Sequence, residues 1–274
     1  MLNVKLGLNS VTFRNETPVR RIEIAKDLGF DGIEILGFPQ EMTSEGMQDT
    51  KKALNEIGIE ALLVALGPPL ALSGGELAIE SQDPDISGKT LEHIKRCIDY
   101  TADLNGGLIY VCTTRPKSEF KDQNKALEDT KRFLVELAEH ASGNGIKVSI
   151  EHSPGSLIDT ASFLNSILKE LDLDNLGALL DIGHLNMTEE DRAATVMNTE
   201  KLFHVHLDNN DGRNDIHTPL NVGTLTEKDF SDFFGALKKR NYDGYISIEL
   251  LNLQEPMKTL KENVDFVKKI YDSS

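Results

Sequence analysis

The chain has 274 residues, 39% of them hydrophobic and 27% charged, which fits a folded protein with a sizeable core and excludes a disordered one. With 45 acidic against 29 basic residues the formal net charge is −16, the wrong sign for a surface that binds a phosphate backbone. Two cysteines, Cys97 and Cys112, are too few for a disulfide framework and read as reduced, packed thiols. No apolar run has the length of a membrane span, and residues 1–7 lack a signal-peptide layout and read as a strand, so a cytoplasmic protein is expected.

Short β-rich runs alternate with longer amphipathic segments. The first run is 4–8. Residues 18–28 read as a helix, with Thr17 as N-cap, Pro18 at the first helical position and Gly29 just past the end. A second run covers 32–36, and a helix over 44–57 stops at Gly58. The third run, 60–66, leads into a Pro/Gly/Ser-rich stretch over 67–75, long enough to be a lid or rim loop. Then come helix 87–104, strand 108–113, helix 123–142, strand 147–151, helix 161–171, strand 177–181 and helix 189–197. Strand 203–207, helix 227–239, strand 245–250 and helix 256–271 complete the chain. Strands alternating with helices imply parallel strands joined by right-handed crossovers, and eight such units predict a closed (β/α)8 TIM barrel, with 1–274 as a single domain. An open doubly wound sheet would carry a Gly-rich phosphate loop after its first strand; Asn9-Ser10-Val11-Thr12-Phe13 stands there instead.

In such a barrel chemistry sits at the C-terminal ends of the strands. Strand five ends in Glu151-His152, strand six in Asp181-Ile182-Gly183-His184, strand seven reads His204-Val205-His206-Leu207-Asp208, and strand eight ends in Glu249. Carboxylates gathered there with no Lys or Arg in the same runs would repel one another, and a divalent cation resolves that cost. Glu151, Asp181, His206 and Glu249 make an O, O, N, O donor set suited to Mn, Mg, Co or Zn. Of His204 and His206, a single one is expected to face the interior.

The segments Gly29-Phe30-Asp31-Gly32-Ile33-Glu34, Ile150-Glu151-His152, Leu180-Asp181-Ile182-Gly183-His184, His204-Val205-His206-Leu207-Asp208 and Ile246-Ser247-Ile248-Glu249-Leu250 resemble, in order and spacing, the xylose isomerase-like TIM barrel superfamily. It holds sugar isomerases and epimerases, inosose dehydratases and, more distantly, the endonuclease IV group. The resemblance covers nearly the whole chain. It implies one divalent metal on Glu151, Asp181, His206 and Glu249, with the two glutamates doubling as acid and base. By the same match His184 contacts substrate and Glu34 supports the inner barrel; His204, the histidine left facing outward, is expected to pack against the helices. Asp215 and His217, with His184, match a further zinc site of the nuclease group, so a second metal is allowed; the other reading is a substrate-binding loop.

Two departures shape the expected function. The nuclease group takes zinc ligands from histidines after strands three and four, whereas this chain has Val64-Ala65-Leu66-Gly67-Pro68 and Cys112-Thr113-Thr114-Arg115. The epimerases often carry a substrate-binding glutamate six residues beyond the first metal glutamate, where this chain has Leu157. The expected activity is a metal-dependent sugar, sugar-phosphate or polyol isomerase or epimerase, moving a proton through an enediolate between Glu151 and Glu249. Dehydration of a cyclic polyol or keto acid on the same site is the alternative, ahead of a phosphodiesterase. Arg14, Arg115, His152 and Arg213 are further substrate-binding candidates. The expected partner is a small carbohydrate, with neither nucleic acid nor membrane; a homo-oligomer is compatible with the chain.

Overall fold

Eight parallel strands hydrogen-bond in sequence order and close on themselves, β1 pairing with both β2 and β8. The computed structural model describes residues 5–188 and 191–274. The strands are β1 (Lys5–Asn9), β2 (Gly32–Leu36), β3 (Glu60–Ala65), β4 (Leu108–Cys112), β5 (Lys147–Glu151), β6 (Leu176–Asp181), β7 (Leu202–Leu207) and β8 (Tyr245–Ile248). Around them run α1 (Pro18–Leu28), α2 (Ser44–Ile57), α3 (Gly67–Leu72), α4 (Pro84–Asp103), α5 (Gln123–Gly143), α6 (Ala161–Leu171), α7 (Ile182–Thr188), α8 (Arg192–Asn198), α9 (Glu227–Lys239) and α10 (Pro256–Ser273). This is the expected TIM barrel. No helix among the described residues is long and apolar enough to cross a membrane.

Local chemistry sets the helix ends. Thr17 Oγ1 accepts the Arg20 N–H, Pro18 follows, and Gly29 closes α1 at φ 79°. Thr226 and Asp229 form a reciprocal capping box at the start of α9. Between strands and helices lies the main apolar core, to which β7 contributes Val205 and Leu207 and α9 contributes Phe230, Phe233 and Phe234. Inside the barrel, glycine makes room at the lower end. A Cβ on Gly32 would lie 2.1 Å from Leu62 Cδ2, so Leu62 fills space that a side chain on β2 would otherwise occupy.

The structure departs from the sequence reading in four places. The stretch after β3 is not all loop: Gly67–Leu72 forms a short rim helix, because Pro68 and Pro69 fall in its first turn, where a missing N–H costs nothing. A second short helix, Ile182–Thr188, starts directly from β6. The helix expected over 189–197 is found as Arg192–Asn198, capped by the Asp191 side chain on the Ala194 N–H; positions 189–190 lie outside the described residues. The fourth-unit helix starts at Pro84, ahead of the expected residue 87, because Asp83 caps it. Residue 4 of the first expected strand also lies outside the described residues.

Candidate metal and active site

Strand register brings the four expected donors to one height. Asp181 pairs with His206 across β6 and β7, His206 with Ser247 on β8, and Glu151 on β5 with Leu179, two residues before Asp181. Inward positions recur every second residue, and Glu249 follows directly on β8. One donor atom from each of Glu151, Asp181, His206 and Glu249 lies within 4.8 Å of the others, and all four residues are buried. His206 Nδ1 is 2.8 Å from Glu249 Oε2 and 3.4 Å from Glu151 Oε1.

Two of these side chains, Asp181 and His206, are also held from behind. Asp181 Oδ1 accepts the N–H groups of Gly183 at 2.6 Å and His184 at 3.2 Å, which also starts α7. His206 Nε2 donates to Glu34 Oε1 at 3.0 Å, so the ring presents Nδ1 to the centre as a lone pair. Glu151 Oε1, Asp181 Oδ2 and His206 Nδ1 are buried and make no hydrogen bond. Buried polar atoms are nearly always satisfied. Unpaired oxygen and nitrogen donors converging on one point therefore fit a divalent cation. Burial pushes the Glu151 carboxyl up from its ordinary range, as expected for a carboxylate without its counter-ion.

His204 does not pack against the helices. Its Nε2 lies 2.8 Å from Glu34 Oε1 and 3.0 Å from Ser247 Oγ, inside the barrel. The reason is geometric: residues two apart on a strand share a face, so His204 and His206 point inward together. Glu34, the inner-barrel support, thus finds its partners across the barrel on β7. Burial opposes its ionisation, but His206 and His204 hold its carboxyl well below the usual carboxylate range. Tyr110 of β4 packs edge-on against His206, with ring centroids 5.1 Å apart.

A second cluster adjoins the first. His184 Nε2 lies 3.2 Å from Asp215 Oδ2, and His217 Nε2 lies 3.1 Å from Asp215 Oδ1. His217 Nδ1 is 2.7 Å from Asp208 Oδ2. His184 Nδ1 donates to the His152 carbonyl at 2.8 Å, which aims Nε2 at Asp215. Burial works against charge on His184, yet Asp181 and Asp215 raise it well above the usual imidazole range. His217 sits at φ 43°, held by the paired Asn209 and Thr218 backbones and by the Leu251 N–H on its carbonyl. Such a conformation in a non-glycine residue costs energy, which these backbone hydrogen bonds offset.

The other candidates separate. His152 is fully buried, and burial, followed by the His184 charge, holds it down at about 3, so it is neutral and acts on the site through the carbonyl that orients His184. Arg115 turns away to pair with Glu119 and lies over the Phe120 ring. Arg213 is exposed on the 208–226 loop and, like Arg115, does not line the mouth cavity. Leu157 packs in an apolar cluster with Phe120 and Ala126. Asp208 was not singled out in the sequence; its place two residues after His206, on the same face, was the available signal. The mouth cavity measures about 460 Å³, and of the four donors Glu151 and Glu249 line it while Asp181 and His206 do not.

A model of the xylose isomerase-like TIM barrel family matches residues 22–270. The chain belongs to this family. The ketose 3-epimerase of Arthrobacter globiformis is 30% identical over 239 residues, covering 83% of this chain and 75% of the relative. The 3-dehydro-D-guloside 4-epimerase of Escherichia coli K12 is 23% identical over 279 residues, covering 97% of this chain and 99% of the relative. Among solved structures of the same fold, D-allulose 3-epimerase from Methylomonas sp. in complex with D-allulose superposes with a TM-score of 0.84 at 21% identity, covering 99% of this chain and 98% of that one.

Proposed function

We propose that this protein is a divalent-metal-dependent epimerase or isomerase of a small carbohydrate, working by proton transfer next to a carbonyl through an enediolate. The observation that carries the reading is the division among the four donors: Asp181 and His206 lie behind the site, while Glu151 and Glu249 also face the cavity. Glu151, Asp181, His206 and Glu249 would hold the ion. When bound, it supplies Lewis-acid polarisation of a carbonyl and its neighbouring hydroxyl. Glu151 on β5 and Glu249 beyond β8 approach the reacting carbon from different sides, so one removes its proton and the other returns one. His184 contacts a substrate oxygen through Nε2. Asp215 and His217 close the loop over the substrate in the same reading; a second cation on His184, Asp215 and His217 is the competing use of those atoms. The related epimerases named above support the substrate class.

The test is solvent-deuterium incorporation into a panel of ketoses and keto-glycosides, with metal restored to saturation. Glu151→Gln and Glu249→Gln are each expected to slow exchange by about 10²–10⁴-fold. Wild-type exchange in both variants would overturn the two-glutamate mechanism. Product analysis separates epimerisation from loss of water. A fall in metal per protomer in His184→Ala, from two to one, would favour the second cation.

A further inference from the structure

Arg14 is the one lysine or arginine lining the mouth cavity among the described residues, and its guanidinium has no protein partner there. That is unusual in a chain with 45 acidic residues for 29 basic ones. Of the other eight arginines, five face a carboxylate and two donate to backbone carbonyls. The last, Arg213, is exposed on a loop. Arg14 is half-buried instead, and none of the cavity carboxylates pairs with it: Glu151 and Glu249 belong to the donor cluster, and Asp215 faces two histidines.

The segment that carries Arg14 is fixed. It closes a short 3₁₀ turn over Ser10–Phe13. Asn9 Oδ1 accepts the Val11 N–H at 3.1 Å, Ser10 Oγ donates to the Glu34 carbonyl at 2.7 Å, and Thr12 Oγ1 donates to the Leu250 carbonyl at 2.7 Å. Ser10 thereby ties the turn to the residue that orients His206, and Thr12 ties it to the residue after Glu249. A guanidinium on a pinned turn is pre-organised, and its planar fork matches a carboxylate or phosphate. In strand order β1 stands opposite β5, so a ligand reaching from Glu151 across the mouth meets Arg14.

We infer that the substrate carries a carboxylate or phosphate at the end away from its reacting carbons, and that Arg14 binds it at the β1 side of the mouth. The inference rests on the carbohydrate reading above and narrows it to anionic sugars. In a molecule of net charge −16, general attraction cannot gather such a substrate, so recognition falls to a dedicated cation.

The test uses the full-length, metal-loaded protein and matched sets of ketoses: a neutral parent, its terminal carboxylate and its terminal phosphate. Calorimetric titration measures affinity and deuterium incorporation measures turnover. At least one anionic member is expected to bind about 10- to 100-fold more tightly than its parent, the range of one charged hydrogen-bonded contact. Arg14→Gln should bring that ratio near one, chiefly by weakening the anionic member, and Arg14→Lys should keep part of it. Whichever anion shows the preference identifies the source. The inference is overturned if the neutral parent binds as tightly as both anionic members, if no anionic member binds, or if Arg14→Gln weakens every member equally. An Arg14-dependent preference without exchange on any sugar would count against the epimerase reading and leave the anion subsite standing. Exchange with the neutral parent preferred would do the reverse.

Discussion

Glu34 decides which nitrogen of His206 faces the donor cluster. Its Oε1 takes the Nε2 hydrogens of both His204 and His206 from across the barrel, at 2.8 and 3.0 Å. Partners of this kind typically change metal affinity by about 10–100-fold when removed. Glu34→Gln is therefore expected to weaken divalent-ion binding by that factor while the barrel stays folded, as read by competition with a fluorescent chelator; unchanged affinity would mean that His206 is oriented by something else. That Glu34 supports the inner barrel was legible from the family resemblance. The partner was not, because it lies 170 residues away and depends on His204 and His206 sharing one face. His152 makes stability depend on pH. Burial holds it at about 3 against an ordinary 6.5, so the folded state resists protonation while the unfolded chain accepts it. Its contribution to stability is complete above the ordinary value and is lost as pH falls from there toward about 3, with a slope of up to about 1.4 kcal/mol per pH unit. In metal-free protein, urea midpoints measured between pH 7.5 and 5 should fall less steeply for His152→Leu than for wild type, a difference of up to about 2 kcal/mol at the acid end.

At the scale of elements, the long helices were readable because their ends are written in side chains. Thr17, Pro18 and Gly29 fix α1, and Thr226 with Asp229 fixes α9, so the expected limits coincide with those found. The two short helices α3 and α7 were not readable: α3 lies in a Pro/Gly/Ser-rich stretch that reads as loop, and α7 follows β6 with no intervening break. The second of these matters for the site, because α7 carries His184. Its docking depends on Gly183, where a Cβ would sit 1.7 Å from Asp208 Oδ1. Gly183→Ala must push Asp208 or the helix aside, and with them the Asp208–His217–Asp215–His184 series. The expected cost is about 1–3 kcal/mol of stability, the usual penalty for overpacking. Gly143→Ala at the end of α5, where an added Cβ meets nothing within 4 Å, is the control. Thermal unfolding of the pair checks the claim: equal transitions would show that α7 docks loosely.

For the molecule as a whole, the closed ring of β1–β8 was legible because strand and helix periods alternate without interruption along the chain. The donor set was legible because four consecutive strands end in carboxylate or imidazole. What the sequence did not reveal was that Asp208 is buried with the three carboxylates of the donor set. Asp208, Asp181, Glu151 and Glu249 are all buried beside the mouth, in a molecule that already carries −16. Each such carboxylate costs free energy unless a positive charge compensates it, and the overall field draws cations toward the mouth. A cation held there binds the folded state and not the unfolded chain, so it adds about 2.7 kcal/mol at a concentration one hundred times its dissociation constant. For a chain of this size that corresponds to a rise in Tm of about 5 °C. Scanning calorimetry of chelator-treated protein, before and after addition of Mn, Co, Zn or Mg, should show such a rise for at least one ion. Asp181→Ala should abolish it, because the Oδ2 donor is lost along with the cap that starts α7. A Tm indifferent to every ion in the wild type, or an undiminished rise in Asp181→Ala, would show that these four side chains are not where the charge is balanced.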